Sequence, residues 1–230
     1  FAVNWADVTA TTDVDVIVGS NNYRANVLNI NGESIIDQYA KATGGVGGVY
    51  TTGTNFAKVN AYDSVEVSAN GMQVVDDSVG SIVNTANITA HNMVNQVADS
   101  NGYGGALLDI SPCASMIKAK VGDEEQKAVT KVTIGGTWVV ADDFNAIALH
   151  ENYVDLENDA IKASVVGLSG VYSYNDIWND TQVVFKDATV HALGDVNVKA
   201  INDIDYRNIV LGSGYGVAQA AGIIAHDDIG

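Results

Sequence analysis

ATVHALGDVNVKAIN, residues 188–202, decides how the chain is read, because its spacing recurs three more times. Written V-x-A-x-x-x-V-x-V, it places Val190, Ala192, Val196 and Val198; the same frame fits Val59, Ala61, Val65 and Val67, and again Val8, Ala10, Val14 and Val16. A looser copy holds Val132, Ile134, Trp138 and Val140. Each copy is two short runs of alternating apolar residues around a small or polar triplet: Leu193-Gly194-Asp195, Tyr62-Asp63-Ser64, Thr11-Thr12-Asp13 and Gly135-Gly136-Thr137. Alternation at period two puts every second side chain on one face, so each run reads as a strand with one buried side and each triplet as a corner.

The copies start at Val8, Val59, Val132 and Val190, intervals of 51, 73 and 58 residues. These intervals suit two or three strand-only rungs each. Between them recurs a glycine-rich element: ATGGVGGVYTTGTN (42–55), SNGYGGALLDIS (100–111), VVGLSGVYSYND (165–176) and LGSGYGVAQAAG (211–222). Units that cannot bury their own apolar face and that recur in the same order are expected to stack. The fold class expected is all-β, a right-handed parallel β-helix (β-solenoid). About 10–12 rungs at the ~4.8 Å strand spacing would make a rod roughly 50 Å long. Asn-Gly pairs at 31–32, 70–71 and 101–102 are expected to supply positive-φ corners. The helical competitors, 33–42 and 93–101, lack a long apolar stripe.

Composition agrees with strands and tight turns: 47% hydrophobic residues, 23 Gly and a single Pro in 230 residues. A net charge of −17, from 28 acidic and 11 basic residues, repels a phosphate backbone and argues against nucleic-acid binding. One cysteine, Cys113, excludes an intrachain disulfide. No run of ~18 apolar residues is present to cross a membrane as a helix. The chain starts at Phe1 without a charged signal region and stops at Gly230 in mid-unit. The whole of 1–230 is therefore read as one solenoid segment of a longer repetitive protein.

The stretch NDTQVVFKDATVHALGDVNVKAIND (179–203), followed by an Ile/Val- and Gly-rich segment, resembles the long repeat of leukotoxin-like filamentous adhesins. The likeness extends in weakened form through the other three copies. It implies a secreted bacterial surface protein with a parallel β-helix stalk, hence an extracellular or cell-surface location. The chain departs from those stalks in interposing Tyr-, Trp- and Asp-bearing segments such as YSYNDIWND (172–180).

Motifs for chemistry are sparse. Gly212-Ser213-Gly214-Tyr215-Gly216-Val217 has the spacing of a dinucleotide loop, but the sixth position is Val217 and no second strand with a ribose-binding acid follows, so the glycines are read as a corner. The acidic groups Asp76–Asp77, Asp142–Asp143, Asp227–Asp228 and Asp123-Glu124-Glu125 match no calcium loop, and are read as solvated turns that leave room for a weakly held structural Ca²⁺. His91, His150, His191 and His226 have no metal-site spacing. No catalytic, cofactor or metal residue is assigned.

Tyr172, Tyr174 and Trp178 share one strand face by even spacing and are bracketed by Asp and Asn, a combination suited to a host glycan or surface protein. The function expected is a non-enzymatic stalk segment of an adhesin or fibre. The alternatives are a filament subunit that pairs end to end and a carbohydrate-active β-helix enzyme.

Overall fold

A computed structural model describes residues 1–19, 23–71 and 83–229, apart from the side chains of residues 112 and 113. Among the described residues there is no helix, and nine strands form one sheet: β1 (Ala2–Val18), β2 (Ala25–Thr51), β3 (Gly53–Asn70), β4 (Val83–Val121), β5 (Ala128–Val140), β6 (Phe144–Ile177), β7 (Asn179–Ala192), β8 (Val196–Tyr215) and β9 (Ala218–Ile229). Every pairing is parallel. The helical competitors at 33–42 and 93–101 lie within β2 and β4.

Each stretch of chain pairs with the next one along, at an offset running from 51 residues (Ala2 beside Gly53) to 65 (Ser64 beside Val129). The 51-residue interval between the first two sequence copies is thus one pairing step, not two or three rungs: Val8 lies beside Val59, Val14 beside Val65 and Val16 beside Val67. The deepest columns hold five residues, such as Asn4, Asn55, Ser115, Val171 and Ile223. Four gaps at ~4.8 Å give a stack about 20 Å deep. The expected rod of 10–12 rungs is corrected, because each pass consumes more than twice the chain assumed.

The last two copies stack out of phase. β3 runs beside β4 over Asn55–Ala61 and beside β5 over Ser64–Asn70, with residues 122–127 inserted between the two partners. Val132 therefore lies beside Val67 rather than Val59. A register shift at Gly135/Gly136, with Gly136 at φ 71°, offsets the next pass, so Trp138 lies beside Val190, while Val196 and Val198 lie beside Phe144 and Ala146. Of the four corner triplets, only residues 193–195 end a strand, and 135–137 hold this bulge. Strands β1 and β3 continue through 11–13 and 62–64.

None of the Asn-Gly pairs is the positive-φ corner expected of it. Gly32 and Gly102 lie inside β2 and β4, Asn70-Gly71 closes β3, and among the described residues positive φ falls instead at Gly48, Gly122, Gly136 and Asp187. What Gly102 needs is closeness: a Cβ there would come 2.7 Å from the backbone oxygen of Ala114.

Alternate side chains point inward and form two main apolar clusters. One joins Ile30, Val65, Val67, Ile88, Val132, Ile134, Trp138 and Phe144; the other joins Ile36, Val59, Val94, Ile117, Leu156 and Ile177. Between them runs a polar seam. Thr12 Oγ1 meets Ser34 Oγ at 2.8 Å, Asp63 and Asn92 are buried neighbours, and Thr130 Oγ1 meets His150 Nδ1 at 2.8 Å. The inward frame is kept at Val59, Val65, Val67, Val132 and Val140, which are buried, and at Val8, Val14, Val16 and Val190, which are half-buried. Val196 and Val198 keep the inward side, beside Phe144 and Ala146, but at the edge of the sheet they are left 50% and 45% exposed. Asp15 and Lys199 face outward and are exposed, and Glu66 and Asn197 face outward and are partly covered.

Candidate interaction surface

Toward the end of β6, Ser173, Asn175 and Ile177 are buried, and Tyr172, Tyr174 and, just past the strand, Trp178 lie on the opposite, half-exposed face, where Asp176 between the last two is nearly buried. The shared face read from the spacing is present. The structure nevertheless divides the three aromatics between two grooves.

Tyr172 stands between Met116 and Ile224 of the neighbouring strands and borders a shallow apolar groove with Leu168 and Val171. Tyr174 and Trp178 line a second groove of about 300 Å³, together with Asp123, Glu124, Glu125, Asp176 and Asp228. The groove is acidic because the turn after β4 and the end of β9 both bring carboxylates to the end of β6. Asp123 holds that turn, its Oδ1 accepting from the backbone N–H groups of Glu125 and Gln126 at 3.0 and 2.6 Å. Lys120, 2.7 Å from its Oδ2, holds the Asp123 carboxyl below its usual range, with the backbone N–H of Gln126 adding to the effect.

Both ring faces of Tyr174 are occupied. Lys118 Nζ sits 5.0 Å from the ring centroid, and the His226 ring stacks at 5.3 Å with planes 12° apart, since Lys118, Tyr174 and His226 share one column. Only its edge and hydroxyl are offered outward. Burial raises the phenol's pKa, and Asp176 and Asp228 add to the rise by disfavouring phenolate. Trp178 donates its Nε1–H to Asp176, whose carboxylate is nearly buried, and Lys127 Nζ approaches one face at 5.8 Å. An indole fixed by a carboxylate beside acidic acceptors can stack an apolar sugar face while the carboxylates accept hydrogen bonds from its hydroxyls; it can also receive a cationic side chain.

The other sequence candidates fall elsewhere. Asp142 and Asp143 form a turn, where Asp143 Oδ1 accepts from the Asp195 N–H at 2.8 Å. Asp227 accepts from the Tyr206 hydroxyl. Gly212–Tyr215 end β8, and the chain bends at Gly216–Val217 before β9, so the glycines do make a corner. His191 is exposed, and His150 is buried against Thr130. Asp76–Asp77 lie outside the described residues, as does the side chain of Cys113. Among the described residues no cluster of three His, Cys, Asp or Glu is placed to hold a metal ion, and no helix is long and apolar enough to cross a membrane.

Sequence reading missed the ladders. Asn87 Nδ2 donates to Asn29 Oδ1 at 2.8 Å, Asn145 to Asn87 at 2.8 Å and Asn197 to Asn145 at 2.9 Å. The few basic residues are also spent across passes: Lys58 on Asp7, Lys131 on Glu66, Lys41 on Asp99 and Arg207 on Asp155. His91 lies between Glu33 and Glu151, at 3.2 and 2.6 Å. Charge complementarity at the pairing offset was the signal available. Comparison with protein-family models, with curated proteins and with solved structures finds no match.

Proposed function

We propose that the chain is a stalk segment of a secreted bacterial surface adhesin or fibre, a parallel β-coil whose work is reach and display rather than catalysis. The observation that carries this reading is the four-membered asparagine ladder through Asn29, Asn87, Asn145 and Asn197. Like residues placed one pass apart extend a repeat in one direction, and such ladders add strength along the stacking axis. The surface displayed is the Trp178–Asp176 groove, and its partner is a host glycan or a cationic surface protein. Binding to glycan and protein arrays tests it. Trp178→Ala is expected to abolish the signal with the strand-rich circular dichroism spectrum unchanged. Retained binding would place the site elsewhere, and release of reducing or unsaturated ends from a polysaccharide would replace display with catalysis.

A second reading, end-to-end assembly of copies, is favoured by the apolar edge at β8 and β9, where Val196, Val198, Ile223 and Ile224 are about half exposed. Paired to another copy, these strands would recover ladder hydrogen bonds. Light scattering against protein and salt concentration separates the two readings, because screening of the −17 charge should promote association only under the second.

A further inference from the structure

Asp109 on β4 and Lys162 on β6 form a fully buried ion pair, their side chains 1% and 3% exposed. The Lys162 Nζ lies 3.3 Å from Asp109 Oδ2, yet Oδ2 makes no hydrogen bond of normal alignment. The other oxygen is held: Ser111 Oγ donates to Asp109 Oδ1 at 2.7 Å and itself accepts from the Gly53 N–H at 3.1 Å. Lys162 Nζ is also 3.4 Å from Ser111 Oγ. Room for this arrangement comes from Gly104, where a Cβ would stand 2.7 Å from Lys162 Nζ and 2.8 Å from Asp109 Oδ2. Beside the amine is a cavity of about 10 Å³ lined by Asn4, Gly44, Gly53, Asn55 and Lys162, close to the size of one water.

A buried pair of full charges is expensive to keep unless its remaining bonds are satisfied, and here one carboxylate oxygen is left without a hydrogen bond. We propose that Lys162 and Asp109 join in an intramolecular isopeptide bond. A proton passes from the ammonium to Oδ2, giving a neutral amine and a carboxylic acid. The Nζ lone pair attacks Cγ, and the charge that develops on Oδ1 is met by the Ser111 hydroxyl. A second proton moves from the nitrogen to Oδ2, which leaves as water into the adjoining cavity. One C–N bond forms, one C–O bond breaks and one water is lost, with no oxidant or reductant involved. Close placement of the reacting groups replaces the activation that amide formation needs in solution. The product ties one pass of the chain to the next and closes the loop between residues 109 and 162, a permanent strap whether or not the groove at Trp178 binds anything.

The test is the intact mass of the whole chain under denaturing conditions. The mass is expected to fall short of the sequence by one water, proteolysis should yield a branched peptide carrying Asp109 and Lys162, and Lys162→Arg should restore the full mass. Two results would overturn the bond. One is a full-mass wild type whose two residues appear on separate linear peptides. The other is a one-water loss that persists in Lys162→Arg, which would assign the dehydration to another position. The wild-type measurement stands even if the variant folds poorly.

Discussion

Asn145 and Asn87, 58 residues apart in sequence, are joined side chain to side chain, the Nδ2 of the first donating to the Oδ1 of the second at 2.8 Å. Asn87 in turn donates to Asn29, so its loss, like that of Asn145, breaks two bonds. Asn87→Ala is expected to lower stability by about 1–2 kcal/mol, two partly exposed hydrogen bonds at the usual net worth. Asn197→Ala removes only its bond to Asn145 and should lose about half as much. Urea melts of the two variants check the ordering, and equal effects would mean the ladder carries little.

The valine frame yields a contrast between passes. Val67 is 1% exposed in the first apolar cluster, and Val67→Asp would bury an unpaired charge. Val196 is 50% exposed, so Val196→Asp leaves its charge in water. The first variant should lose more than ~4 kcal/mol or fail to fold, and the second should change by under ~1 kcal/mol. Similar melting temperatures for the two would contradict the inward assignment.

How much was legible can be judged from these same residues. Period-two alternation marks which side chains share a face, and it gave the burial of Val59, Val65 and Val132. It also gave the common face of Tyr172, Tyr174 and Trp178. Alternation carries no information on which residue lies alongside which, since any even shift preserves the faces. The offset therefore had to come from spacing. The 51-residue spacing of Val8 and Val59 is the true offset, although it was read as two or three rungs, and the spacing fails outright at Val132, where residues 122–127 lengthen the pass. The occlusion of Tyr174 by Lys118 and His226 depends on that offset, so single-strand reasoning could not foresee it.

Glycine substitutions test the packing of passes without changing charge. At Gly102 an added Cβ would meet the Ala114 backbone oxygen at 2.7 Å, an atom that cannot rotate away. At Gly222 nothing lies within 4 Å. Gly102→Ala should destabilise by about 2 kcal/mol or more through overpacking. Gly222→Ala should be neutral, or stabilise by up to ~1 kcal/mol because a strand glycine is costly in entropy. Thermal melts decide it, and a neutral Gly102→Ala would show that β4 has slack at this point.

The polar seam predicts opposed pH responses from two buried groups. Burial pushes the Asp63 carboxyl up from 3.8 to about 6, with the Asn92 amide pulling the other way. A carboxyl with a raised folded pKa stabilises the fold below its unfolded value and loses that contribution as pH rises toward 6. Burial pushes His150 down from 6.5 to about 4, the proximity of His91 adding to the fall and Asn152 opposing it. For this group the folded state takes up its proton last, so stability is present above pH 6.5 and is lost as pH falls toward 4. Each shift corresponds to about 3 kcal/mol, and between pH 4 and 6 the two slopes have opposite sign. Their contributions in the wild type should nearly cancel there. Asp63→Asn is expected to unmask His150, with stability climbing by about 2–3 kcal/mol from pH 4 to 6.5 relative to the wild-type profile. His150→Gln should unmask Asp63, with stability falling over the same interval. Denaturant melts at half-unit pH steps give both profiles, and parallel curves for wild type and the two variants would mean that neither group titrates inside the fold.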